Sequence, residues 1–199
     1  MKRQKEFTCP AGFREAMRID LEKNKKEKIL VNAAALVIAA AMAVIGALIT
    51  PIRLFFDTTS PLPSIIRIAV MLGGVVVYMI LHEAVHGIFM LLFGGGVKPR
   101  FGFTGLYAYA ASTAYFKRAP YLIIGLSPVL LLGGILLAVN LLVPVAWFWV
   151  VYLIQIVNVS GAAGDLYVTV RLLRCPKDAL ILDDGTAMRV YLPRKRKEN

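Results

Sequence analysis

The chain has 199 residues, 58% of them hydrophobic, a mean hydropathy of +0.69 and a formal charge of +11. That hydropathy is too high for an ordinary soluble domain and points to a small polytopic membrane protein. The charge alone would suit a nucleic-acid partner, but its distribution removes that reading, because 21 of the 23 Lys and Arg fall on one side of the membrane topology described next.

Residues 1–28 form a basic leader with nine Lys or Arg, and its "EKNKKEKIL" reads as a helix leading into the membrane. The first apolar stretch, residues 29–50, is longer than the roughly 7–15 residues of a signal-peptide core. It reads as the first membrane helix. Further apolar stretches occupy residues 65–93, 121–143 and 145–173, each able to supply the roughly 20 residues a bilayer crossing needs. The last is the least pure, since it holds Gln155, Asn158 and Asp165. The expected fold is an all-α polytopic membrane protein, with a four-helix membrane domain over residues 29–173. Only Arg53 and Arg67 fall on the side opposite the other basic residues, so both termini are expected in the cytoplasm. Cys9 and Cys175 lie on that cytoplasmic side and are expected as free thiols.

The second stretch contains "ILHEAVHGIF", residues 80–89. Ionisable groups cost free energy within a bilayer, so they point to function there. His82 and His86 are four residues apart and share one helix face, where they can grip one metal ion. Glu83 is turned about 100° from His82, beside the metal, where it can take a proton from water. This spacing is the zinc metallopeptidase signature, and the chain has no other histidine. One zinc ion per chain is the expected cofactor.

Catalytic zinc usually takes three protein ligands. Of the twelve acidic residues only Glu83 and Asp165 lie inside apolar stretches, so Asp165 is the leading third ligand by elimination. The alternative is a capping or helix-packing Asp. His86 and Asp165 both lie about 10 Å from the cytoplasmic ends of their stretches, so they match in depth. Asn158, two turns before Asp165, could bind substrate backbone or a developing oxyanion, or could make an interhelical hydrogen bond. The small residues Ser160 to Gly164 would let this helix approach its neighbour closely.

With these residues in place the chain resembles the intramembrane zinc metalloproteases of the site-two protease type. In those, an HExxH helix is joined by an Asp from a later helix. It also resembles, from about Leu81 to "CPKDALILDDGTAMRVYLP", a family of small bacterial membrane proteins catalogued as zincin peptidases of unknown function. The Asp motif departs from the better-known pattern, being "NVSGAAGD" followed by Leu166 rather than an Asp-Gly after prolines. The resemblance implies an integral protein of a bacterial cell membrane that hydrolyses peptide bonds of membrane-protein or peptide substrates. Cleavage is expected within or near the cytoplasmic side of the bilayer, with Glu83 as general base.

In residues 94–120, Phe101, Phe103, Tyr107 and Tyr109 fall at odd positions, a period of two that suggests strands. A membrane-associated hairpin or re-entrant loop is expected, whose edge could hold an extended substrate, with Phe101 and Phe103 as candidate contacts. An aromatic belt at the interface is the alternative. Residues 174–199 read as a cytoplasmic hairpin around Asp184–Gly185 followed by a basic tail. Two other functions fit parts of the pattern. A zinc-binding scaffold would keep the ligands without cleavage, and a metal transporter would need a string of ligands along its path.

Overall fold

The computed structural model describes residues 9–21, 23–103, 108–185 and 187–194. Four helical segments are long and apolar enough to cross a membrane. They are α1 (Lys25–Ile49), α2 (Pro61–Phe93), α3 (Arg118–Leu142) and a composite fourth segment, Val145–Leu173. The helices start where local chemistry permits. Asn24 accepts the Glu27 N–H at 3.3 Å to cap α1, and Ser60 caps α2 with Pro61 in its first turn.

The expectation of an all-α fold needs correction. The chain is mostly helical, and the hairpins expected after the second helix and near residues 184–185 are present. The latter, however, belongs to a four-stranded antiparallel sheet that also takes strands from the leader and from residues 116–117. This sheet has the order β1–β6–β5–β4, from β1 (Phe13–Ile19), β4 (Phe116–Lys117), β5 (Leu180–Asp183) and β6 (Met188–Pro193). The former is a hairpin of β2 (Arg100–Phe103) and β3 (Ala108–Ala111). The leader therefore enters α1 from a strand. In β1, Phe13, Met17 and Ile19 turn inward while the residues between face out, and the backbone is satisfied by β6. The turn between β5 and β6 uses Gly185 at φ 84°, a conformation open to glycine at little cost.

The fourth apolar segment is likewise not one helix. A 3-10 turn at Val145–Trp147 leads into α4 (Phe148–Gly161), and the chain breaks at Ala162 before α5 (Ala163–Leu173). The break gives Asp165 a place in the first turn of a new helix.

α1 packs on α4 and α5, and α2 on α3 and α4, whereas α1 and α2 barely touch among the described residues. Gly46 lets α1 lie against Trp149 and Tyr152, whose side chains donate to the carbonyls of Thr50 at 3.0 Å and Met42 at 2.8 Å. The main core lies where the four-stranded sheet covers the ends of α2, α3 and α5. There Ile19, Met90, Phe116, Ile124, Leu172 and Val190 are buried together.

Candidate metal centre

Tyr78, His82 and His86 repeat every four residues along α2 and so share one face. Asp165 comes from α5 to meet that face. His82 Nε2 and His86 Nε2 are 3.2 Å apart, and the Asp165 carboxylate oxygens lie 3.4 Å from His82 Nε2 and 3.7 Å from His86 Nε2. Among the described residues these three side chains form the group able to hold a metal ion, with all ligand atoms within 4.8 Å.

The separations suit zinc. Bonds of about 2.0–2.2 Å in a tetrahedron place ligand atoms roughly 3.3–3.6 Å apart. The hydrogen bonds behind the histidines suit it as well. His86 Nδ1 lies 2.9 Å from the Ile124 carbonyl, which can only accept, so Nδ1 carries the proton and Nε2 keeps its lone pair. His82 Nδ1 lies 2.9 Å from Tyr78 Oη, and that hydroxyl donates to the Asn158 carbonyl at 3.5 Å. With its proton on that carbonyl the phenol can accept from His82 Nδ1, which leaves the second Nε2 facing His86 and Asp165. Asp165 combines its place in the group with a first-turn position, where the helix dipole favours a negative charge.

Glu83 stands outside the ligand group, half-buried beside it, with the Ala110 backbone of β3 near its carboxylate. Strand β3 therefore runs alongside the centre, with Ala108, Tyr109 and Ala110 on the wall of a cavity of about 620 Å³ that contains the ligands. Lys28 and Asn32 of α1 line the cavity opposite α2, and Ile19, Asp183, Gly185 and Met188 line it at the four-stranded sheet. Asp183 accepts from Tyr121 Oη at 2.5 Å and from the Gly185 N–H at 3.0 Å, and its carbonyl accepts from Ser112 at 2.9 Å. Burial pushes its carboxyl above the usual range, while the Tyr121 and Gly185 hydrogen bonds pull it back.

The remaining candidates lie farther out. Asn158 is fully buried, and its amide donates to the Val129 carbonyl at 3.2 Å, so its side chain makes the interhelical bond. Phe101 and Phe103 line a second cavity of about 590 Å³, an apolar groove between α2 and the hairpin that meets the first cavity at Met79, Glu83, Ala108 and Tyr109. The Phe101 ring lies over Gly87, where any β-carbon would collide with it. Within the hairpin, Phe101 and Phe103 pair with Ala110 and Ala108, whereas Tyr109 pairs with Gly102 on the opposite face. The odd-numbered aromatics therefore do not share one face, and Tyr107 lies outside the described residues.

Sequence reasoning missed Tyr78, the Ile124 carbonyl and Asp183. Tyr78 was detectable as the preceding member of the same four-residue repeat. The carbonyl had a signal in Pro128, which removes the helical donor of Ile124.

Three comparisons bear on this site. The family model described as "Putative zincin peptidase" matches residues 75–180, a span containing Tyr78, His82, Glu83, His86 and Asp165. An "Uncharacterized 24.7 kDa protein in gap 5'region" from Pyrococcus woesei is 30% identical over 121 residues, which cover 57% of this chain and 51% of that protein. The chain thus spans about half the length of that curated relative. No solved structure matches.

Proposed function

Since the chain belongs to the zincin peptidase family, a membership that suggests a zinc metallopeptidase, we propose that it is an intramembrane zinc endopeptidase acting on membrane-protein substrates. The carrying observation is the convergence of His82, His86 and Asp165 from two apolar segments at tetrahedral spacing, with Glu83 beside them. Support for the bilayer comes from the apolar faces of α1 and α2, whose most apolar windows are only 6% buried by the protein itself. In water such a surface would drive association.

His82, His86 and Asp165 would hold one zinc ion per chain, which when bound supplies a Lewis acid that acidifies water and polarises a carbonyl. Glu83 accepts the proton of the attacking water and hands it to the leaving amine. Glu83 lines the cavity beside Ala110 of β3. A substrate strand added along the cavity edge of β3 would lie extended past Glu83, with its apolar residues received by the groove at Phe101 and Phe103. That groove opens beside the exposed residues Val76 and Ile80 of α2, so an apolar segment can reach Glu83 from the lipid side.

The test is Glu83→Gln in proteoliposomes with a membrane-protein reporter. The variant should retain zinc and lose at least about 100-fold of the cleavage rate. Equal cleavage by variant and wild type would overturn the mechanism. A zinc-binding scaffold would cleave in neither form, and a transporter would move metal without cleavage.

A further inference from the structure

The interior of α3 contains Pro128, which is fully buried. Proline has no N–H, so the carbonyl four residues earlier, that of Ile124, loses its helical donor. Inside a bilayer no water replaces that donor, and a neighbouring group must. Two side chains do so here. Ser127 Oγ donates to the Ile124 oxygen at 3.0 Å and His86 Nδ1 at 2.9 Å, which uses both lone pairs.

We propose that Pro128 is a positioning residue for the metal centre. By withholding an N–H it reserves the Ile124 carbonyl for His86, and so fixes the imidazole tautomer that turns Nε2 toward Asp165 and His82. Pro128 does not line the cavity of His82, His86 and Asp165, and it acts only through that carbonyl. The inference rests on the reading of His82, His86 and Asp165 as zinc ligands.

An alanine at position 128 restores an amide aimed along the helix at the same oxygen. Three donors then compete for two lone pairs. The amide is fixed by the backbone, and the Ser127 hydroxyl sits on the same turn, so the donor from the other helix, His86, is displaced.

The test uses the full chain in detergent micelles or nanodiscs. Zinc affinity is measured by competition with a chelator, and the imidazole tautomers are read from nitrogen-15 spectra of histidine-labelled, metal-free protein. Because the chain has two histidines, His82→Ala assigns the spectrum. Pro128→Ala should bind zinc about 10–100-fold more weakly, the usual cost of losing such a partner, with His86 moving from the Nδ1–H toward the Nε2–H tautomer. Ser127→Ala should leave both unchanged, since it removes a competitor and adds none. The proposal is overturned if Pro128→Ala binds zinc as tightly as wild type, or if Ser127→Ala weakens binding equally. A wild-type spectrum with His86 as the Nε2–H tautomer also overturns it, and that spectrum decides alone if Pro128→Ala does not fold. A wild-type protein that takes up no zinc would refute the metal centre instead, while the tautomer shift would still report on Pro128.

Discussion

The phenol oxygen of Tyr78 stands 2.9 Å from Nδ1 of His82, one helical turn away on the same helix. Tyr78→Phe keeps the ring and removes that oxygen. His82 then loses its acceptor, and zinc affinity should fall about 10–100-fold with helix content unchanged. Chelator competition beside circular dichroism checks this. Unchanged affinity would mean that the packing of α2, not the phenol, holds the imidazole.

The two carboxylates near the centre should respond differently to neutral replacement. Asp165→Asn exchanges a charged ligand for a neutral one and should lower zinc occupancy. Glu83→Gln should leave occupancy intact, as should no substitution of His82 or His86 by Ala. Metal analysis of the four purified variants separates these outcomes, and loss of zinc from Glu83→Gln would make Glu83 a ligand.

Orientation in the membrane can be read with impermeant thiol reagents in a background lacking Cys9 and Cys175. The exposed positions Thr58 and Lys177 suit the test, whereas Ser112 is fully buried and would react from neither side. Thr58→Cys should be labelled in intact cells and Lys177→Cys only after lysis. The reverse pattern would invert the topology drawn from the basic residues.

Gly87 and Phe101 couple α2 to the hairpin. Gly87→Val puts side-chain atoms where the Phe101 ring lies, and overpacking of this kind costs about 1–3 kcal/mol. Phe101→Ala in the same chain should return part of that loss. A double-mutant cycle on thermal unfolding measures the coupling, and strict additivity would show that the ring moves aside freely.

How much of this was readable from the residues depends on how far apart the partners are in the chain. The His82–Glu83–His86 spacing is local geometry on one helix turn, and Asp165 stood out because few acids lie in apolar stretches. The four apolar segments were legible for the same reason, within a few residues at each end. β1 was not, because the residues that satisfy its backbone lie in β6, and nothing within the leader encodes that pairing. The break at Ala162 was hidden as well. Its small neighbours signal close packing, but a helix can continue through such residues. Tyr78 shares the four-residue repeat of His82 and His86, but what its hydroxyl does there appears only once the Asn158 carbonyl is seen beside it.

The pairing of β1 with β6 also imposes an order of events during synthesis. Ile19 pairs with Met188, partners roughly 170 residues apart, so β1 must wait unpaired while every helix emerges from the ribosome. His82, His86 and Asp165 are all made before β6, and the three can converge first. Ile19 and Met188, on the sheet side of the cavity, take their places only when β6 arrives, whereas Asp183 can already meet Tyr121 and Ser112. A nascent chain arrested before β6 would therefore carry His82, His86 and Asp165 without the part of the wall that Ile19 and Met188 supply.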